Sequence, residues 1–263
     1  METLIDDERN EAEAALNEGD FARSAQLFSQ FLDHANDEDT QTLAIRQKYA
    51  LALYGLADYT AGEAQLHQAV AGQERLLGPD HPSTLVALAR LADALGEQQR
   101  WLEAHALAHE AVRRGTLALG AEHEATLSSR LTLAWVLYRT GHEDAEPFIR
   151  ETAQIIDSVL GRNHRDSWAT HHLLIETLRD SGRHEEAAAE AHDVIATREQ
   201  HQGASHPHTL RARADLALVL HAAGQTSEAL NLIEEVLDLS TRALGPEHPY
   251  TTRCKTDREM IAV

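Results

Sequence analysis

Hydrophobic residues recur along the chain at helical spacing, in segments separated by glycine, proline and polar turns. The segment from Pro82 to Leu95 is typical, because its leucines and alanines fall at i, i+3, i+4 and i+7 and form one apolar face. A second helix is predicted to open at Trp101 after a break, and equivalent openings occur at His184 and Thr226. The pattern predicts an all-α protein of about thirteen helices.

The helix pairs repeat with a period of about 42 residues. Gly78 anchors the run Leu77-Gly78-Pro79-Asp80-His81-Pro82-Ser83-Thr84-Leu85, which recurs in weaker form further along the chain. The intervals between the equivalent glycines are 42, 41, 42 and 42 residues, at Gly78, Gly120, Gly161, Gly203 and Gly245. A degenerate copy upstream keeps Thr42-Leu43 but has lost the glycine and the histidine.

Two positions of the repeat carry a structural expectation. Alanine recurs in one phase of the second helix, at Ala104, Ala187 and Ala229, and a small residue there predicts a close, buried helix contact. Histidine recurs at the junctions and is predicted to start the following helix by hydrogen-bonding the backbone, at His81, His123, His164, His206 and His248.

One helix pair cannot bury its own apolar face, so repeats of this kind stabilise one another by stacking. The uniform period predicts one array over residues 1–263. The expected repeats are 1–38, 39–80, 81–122, 123–163, 164–205 and 206–247, followed by a polar capping helix at 248–263.

The A-x-x-G-x-aromatic-x-E-A pattern of these helix pairs resembles the tetratricopeptide repeat (TPR). The 42-residue period with L-G-x-x-H-P-x-T-L junctions is similar to the subtype of kinesin light chains and many bacterial proteins, and it covers residues 3–256. The resemblance implies a right-handed α-solenoid, a superhelix of antiparallel helix pairs whose first helices line a concave groove that binds peptides or proteins.

Composition narrows the possible functions. The net charge is −20, which disfavours nucleic acid and anionic membranes as partners. The single cysteine, Cys254, excludes an internal disulfide framework. The start of the chain lacks the pattern of a signal peptide, so a cytoplasmic location is expected. Glycines are isolated at turns rather than clustered in a phosphate-binding loop, and no cofactor is predicted.

The 17 histidines raise the question of a metal site. His105 and His109 share a helix face, and Glu63 or Glu146 could add a ligand. Since His67, His109 and His192 occupy one phase of the repeat, a duplicated surface position explains the pair better, and no metal is predicted. His171 and His172 are adjacent on a helix and cannot both face one site.

The inward positions of the first helices are the predicted binding site. Arginines there would bind carboxylates, and aromatic residues would supply rigid anchors. Alternatively, the arginines pair with Asp93, Glu176, Asp180 or Asp215 and only solubilise the surface. The candidate residues are Lys48, Tyr54, Arg90, Trp135, Tyr138, Arg139, His172, Arg179, Arg211 and His221.

These features favour a non-catalytic scaffold or adaptor that binds a protein or peptide in the groove. One alternative is a regulatory protein whose solenoid changes shape when it senses a peptide. Another is an enzyme that uses groove residues such as His172, Glu176 and His221. The asparagines with which kinesin light chains and chaperone-binding TPR proteins clamp peptides are missing from the matching positions, so those partners are not expected here.

Overall fold

The computed structural model describes residues 2–35 and 39–262, with side chains from Arg9 onward. All regular structure within these ranges is helical, which confirms the predicted all-α class. The chain divides into two compact units, residues 1–140 (unit 1) and 141–263 (unit 2). The single array with its six repeat boundaries therefore stays a prediction. None of the described helices is both long and apolar enough to cross a bilayer.

The described part of unit 1 contains seven helices, each of which contacts the next. Helix α5 also contacts α3 and α7, so the first helices of successive pairs lie side by side. The helices are α1 (Glu2–Glu18), α2 (Phe21–His34), α3 (Thr40–Gly55), α4 (Tyr59–Leu77), α5 (Pro82–Glu97), α6 (Trp101–Ala118) and α7 (Glu124–Thr140).

Unit 2 repeats this plan with six described helices. Helix α11 contacts both α9 and α13, which are the first helices of their pairs. The helices are α8 (Ala145–Leu160), α9 (Arg165–Asp180), α10 (His184–Gln202), α11 (Pro207–Ala222), α12 (Thr226–Leu244) and α13 (Pro249–Ile261). Helices α6, α10 and α12 begin at the residues that the sequence pattern predicts.

The junction histidines are helix N-caps. Each one accepts, through Nδ1, a hydrogen bond from the backbone N–H two residues later, at N···N distances of 3.1 to 3.3 Å. Asp39 stands at the equivalent position of the degenerate copy, and its Oδ1 accepts from the N–H of Gln41 at 3.1 Å. The first copy has therefore lost the histidine and kept the cap, which supports a structural role for all of these positions.

The recurring alanines are buried where helices pack together. Ala104, Ala187 and Ala229 are each 0% exposed, as predicted. Larger apolar side chains pack around them, including Leu91 and Val136 in unit 1. The alanines thus set the spacing between the two layers of helices in each unit.

Enlarging one of these alanines should destabilise the fold. We expect Ala187→Leu to lower the free energy of unfolding by about 1–3 kcal/mol, because added methylenes force their neighbours apart. Urea unfolding measures the change. The control is Ala189→Leu, at an exposed position of the same helix. Equal effects of the two substitutions would contradict the assignment of Ala187 to a tight contact.

The cap can be tested by exchanging histidine for aspartate. We expect His81→Ala to cost about 1 kcal/mol of unfolding free energy, since the N–H of Ser83 loses its acceptor. His81→Asp should retain most of that stability, because Asp39 makes the same bond naturally. Thermal and urea unfolding of both variants provide the comparison. Losses of the same size in both would show that the ring, rather than the cap, is what matters.

Candidate functional site

The residues predicted to face inward divide between the two units. In unit 1 they lie on α3, α5 and α7, and we call this predicted set the inner surface of unit 1: Lys48, Tyr54, Arg90, Asp93, Trp135, Tyr138 and Arg139. In unit 2 they lie on α9, α11 and α13, and we call them the inner surface of unit 2: His172, Glu176, Arg179, Arg211, Asp215, His221 and Asp257.

Two basic residues of unit 1 are held by polar neighbours. Lys48 Nζ lies 2.6 Å from Glu13 Oε1 of α1. Arg90 Nη1 donates to Gln47 Oε1 of α3 at 2.7 Å, which joins two successive first helices. These contacts fix the lateral position of both cations.

Tyr54 is a half-buried aromatic residue held by a close approach to α4. A Cβ atom at Gly62 would lie 2.4 Å from its ring, so glycine is required there. The ring stacks on Tyr59 at a centroid distance of 6.0 Å. Among the described residues, no group hydrogen-bonds its buried hydroxyl. Burial, together with the charges of Glu63 and Asp93, raises the pKa of Tyr54 well above its usual value.

The second aromatic group of unit 1 combines two tryptophans with an arginine. Trp101 and Trp135 lie 5.6 Å apart between ring centroids, and Gly96 leaves the space that Trp135 fills. The guanidinium carbon of Arg139 lies 5.2 Å from the Trp101 ring centroid and 5.6 Å from that of Trp135. Arg139 is exposed, while both indoles and nearby Tyr138 are partly buried.

Trp101 was not among the predicted site residues, because the sequence identifies it only as the opening of a second helix. A signal was available in the repeat. Residues 54, 96 and 138 are equivalent at the 42-residue period, and they are tyrosine, glycine and tyrosine. The missing ring at Gly96 marks the place where the tryptophan pair is accommodated.

Asp93 is a partly buried carboxyl on the inner surface of unit 1. Its pKa is raised to about 7, chiefly by burial and further by the charge of Glu97. A hydrogen bond from Thr132 of α7 and the charge of Arg90 act in the opposite direction. The residue therefore changes its charge near neutral pH.

The inner surface of unit 2 is organised around Asp215, which is 6% exposed. His172 Nδ1 lies 3.0 Å from Asp215 Oδ2, and Arg211 Nη2 lies 2.8 Å from Asp215 Oδ1. Burial raises the pKa of Asp215, but the positive charges of His172 and Arg211 outweigh this and lower it overall. Burial lowers the pKa of His172, but Asp215 and Glu176 outweigh this and raise it.

Several polar atoms of this surface are buried and make no hydrogen bond with the described residues. Besides His172 Nδ1, which has its ion-pair contact with Asp215, they are Arg211 Nη1, His221 Nδ1 and Asp257 Oδ2. Asp257 is 4% exposed, and burial raises the pKa of its carboxyl although Arg211 and Arg179 act against it. Just beneath this surface there are therefore both a donor and an acceptor without a hydrogen bond from the described residues.

The alternative prediction is that the arginines pair with neighbouring acids. Two such ion pairs are present, Arg211 with Asp215 and Arg179 with Asp180, each with an N···O distance of 2.8 Å.

His171 and His172 face different partners, as expected. His171 lies on the other side of α9, with Nε2 3.0 Å from Asp157 and Nδ1 2.5 Å from Glu190.

His105 and His109 lie on α6, and Cys254 lies on α13. His105 and His109 stack at 6.1 Å, while Glu63, their proposed co-ligand, binds Arg100 at 2.7 Å. No three His, Cys, Asp or Glu side chains among the described residues are placed to hold a metal ion. Cys254 is buried, and burial raises the pKa of its thiol to about 11.

Comparison with known families decides the classification. Profiles described as tetratricopeptide repeat match residues 39–114, 176–208 and 209–250. The chain belongs to the TPR family. No curated protein sequence matches it.

Solved TPR structures match the fold over most of the chain. A kinesin-light-chain-type protein of Podosopora anserina with nearly identical TPR-like repeats is 25% identical, with 79% of this chain and 99% of that chain covered and a TM-score of 0.68. BtubC of P. vanneervenii is 16% identical, with coverages of 93% and 94% and a TM-score of 0.68. A Rap protein solved with Competence and Sporulation Factor is 11% identical, with coverages of 97% and 73% and a TM-score of 0.67.

The titration of Asp93 predicts a pH dependence of stability. Since the pKa rises from 3.8 to about 7 on folding, the folded state binds the proton more tightly than the unfolded chain. The contribution of Asp93 to stability is therefore greatest below pH 3.8 and decreases as the pH rises to about 7. We expect Asp93→Asn to remove this decrease, as measured by urea unfolding across that range.

The control for this measurement is Asp80→Asn, because Asp80 lies exposed in a turn of the same unit. It should leave the pH dependence as it is in the wild type. If the unfolding free energy of Asp93→Asn depended on pH as that of the wild type does, the raised pKa could not be assigned to Asp93.

Proposed function

We propose that this TPR protein is a non-catalytic binding module whose inner surfaces hold an extended segment of a partner protein or peptide. The proposed contact residues are those predicted from the sequence: Lys48, Tyr54, Arg90, Trp135, Tyr138, Arg139, His172, Arg179, Arg211 and His221. TPR proteins generally mediate protein–protein interactions, and the two inner surfaces offer complementary chemistry for that purpose.

The observation that carries the proposal is the unused hydrogen-bonding capacity of unit 2. A buried polar atom without a partner is costly, and native structures contain few of them. Arg211 Nη1 is a donor, Asp257 Oδ2 is an acceptor, and His221 Nδ1 can be either. A peptide chain carries a donor and an acceptor in nearly every residue, so a segment that displaces the side chains covering these atoms would satisfy both kinds.

Unit 1 supports the proposal through its aromatic residues. Tyr54, Trp135 and Tyr138 are all partly buried, so each combines a fixed position with accessible ring area. Rigid aromatic side chains in such positions contribute much of the binding energy at protein interfaces. A partner segment with apolar side chains would be anchored there.

The fold and the titrating groups are compatible with this function. The Rap conjugation gene regulator of plasmid pLS20, a structural neighbour at 13% identity, is solved in complex with the Phr peptide. In the present chain the Cys254 thiol is kept protonated by burial, and His172 is held by Asp215. The proposal assigns neither of them a catalytic step.

His221 allows a clean test. A labelled peptide selected from a randomised library provides the ligand, and fluorescence polarisation measures its affinity. We expect His221→Phe to weaken binding about two- to tenfold, the size of one hydrogen bond. Stability should hardly change, since Nδ1 has no internal partner and the ring shape is kept.

The matched control is His192→Phe, on the exposed side of the second helix α10. It should leave the affinity at the wild-type value. If His192→Phe releases the peptide and His221→Phe does not, the binding surface lies on the second helices and the proposal is wrong.

A further inference from the structure

The tryptophan pair of unit 1 already holds a guanidinium group. Arg139 Cζ lies within 5.6 Å of both ring centroids, inside the range of about 6 Å for cation–π attraction. The rings are inclined at 56° to one another, and we call the face that they present to Arg139 the Trp101–Trp135 cleft. The position of Arg139 shows that this face accommodates a planar cation.

Arg139 is held weakly enough to be replaced. Its side chain is exposed, and it forms no salt bridge with any described residue. Arg100, in the same unit, illustrates the contrast, because it forms salt bridges with Glu63 and with Glu103. An exposed cation–π contact contributes about 0.5–1 kcal/mol, which corresponds to about a two- to fivefold preference. A second guanidinium can take the place of Arg139 when the rest of a bound partner segment holds it there at a high effective concentration.

The negative charge of the protein favours the binding of a second cation. Asp93 and the exposed Glu97 lie close enough on α5 for their charges to interact, and Glu97 directly follows Gly96, whose missing side chain makes room for the tryptophans. The protein as a whole carries −20, so positively charged segments are drawn towards it at long range. Acidic segments are repelled.

We propose that the Trp101–Trp135 cleft binds an arginine side chain of the partner, and that Arg139 is a built-in occupant which this arginine displaces. This inference deepens the proposed function, because it names the side chain that the partner presents to unit 1. It also differs from the expectation that Arg139 itself binds a carboxylate of the partner.

The test uses the intrinsic fluorescence of the full chain. Trp168→Phe serves as the parent, because Trp101 and Trp135 are then the remaining tryptophans. The probe is N-acetyl-arginine amide, and its uncharged isostere N-acetyl-citrulline amide is titrated in parallel at matched ionic strength. We expect quenching by the arginine derivative alone that rises in proportion to its concentration, and a slope about two- to fivefold steeper when Arg139→Gln empties the cleft.

Arg75→Gln provides the matched control. Arg75 is an exposed arginine of α4 in the same unit, so the substitution changes the net charge equally and leaves the cleft untouched. It should not strengthen probe binding. Equal gains from Arg75→Gln and Arg139→Gln would show a general charge effect, and the inference would be overturned.

Two further results would overturn it. One is an equal response to the citrulline derivative, and the other is tighter binding of N-acetyl-glutamate amide than of the arginine probe. If Arg139→Gln lowers the melting temperature, Trp135→Phe in the parent is used as the test variant instead. It should weaken the binding of the arginine probe. Binding of the library peptide with no response to the arginine probe would refute this inference alone, whereas the reverse would refute the proposed function alone.

Discussion

The rest of the structure depends on one contact, the close approach of paired helices at a buried alanine. Ala104, Ala187 and Ala229 are fully buried at the same phase of their repeats. Because a small side chain lets two helices approach closely, these alanines position the second helix of each pair against the neighbouring first helices. The capping histidines act with it, since each one sets the residue at which the next helix begins. With the spacing and the starting points fixed, the helices have little freedom left.

Because the caps and the alanine contacts stabilise the fold, the side chains of the inner surfaces can differ from repeat to repeat. Neither cap nor alanine contact uses them, so their side chains interact laterally with the next first helix. Arg90 reaches Gln47 across 43 residues of sequence, and His172 reaches Asp215 in the same way. Such pairs fix the rotamers of long side chains without contributing much to stability. They prepare a surface of defined chemistry on a scaffold that is stabilised elsewhere.

Local chemistry explains why the helices could be predicted from the sequence and why the site contacts could not. The helix starts are encoded by neighbouring residues, for example by His206 followed by Pro207, and the repeat multiplies each signal. The partners of Lys48 and Trp101, by contrast, lie far from them in the sequence, so no local signal identifies them. Glu13 lies in the preceding first helix, and Arg139 comes 38 residues after Trp101. Which charge meets which ring depends on rotamers and on the lateral register of helices, and the period alone specifies neither.

The two inner surfaces differ in the kind of selectivity that they can provide. In unit 1 the accessible groups are aromatic rings and one exposed guanidinium, which discriminate by shape and by positive charge. Unit 2 instead holds buried donors and acceptors near Asp215, which discriminate by hydrogen bonding because a mismatched group leaves them unsatisfied. Cation–π contacts weaken only gradually when a ligand changes, whereas buried hydrogen bonds penalise each error strongly. Under the proposed function, unit 2 is therefore the stricter determinant of partner identity, and unit 1 contributes affinity that many basic segments could share.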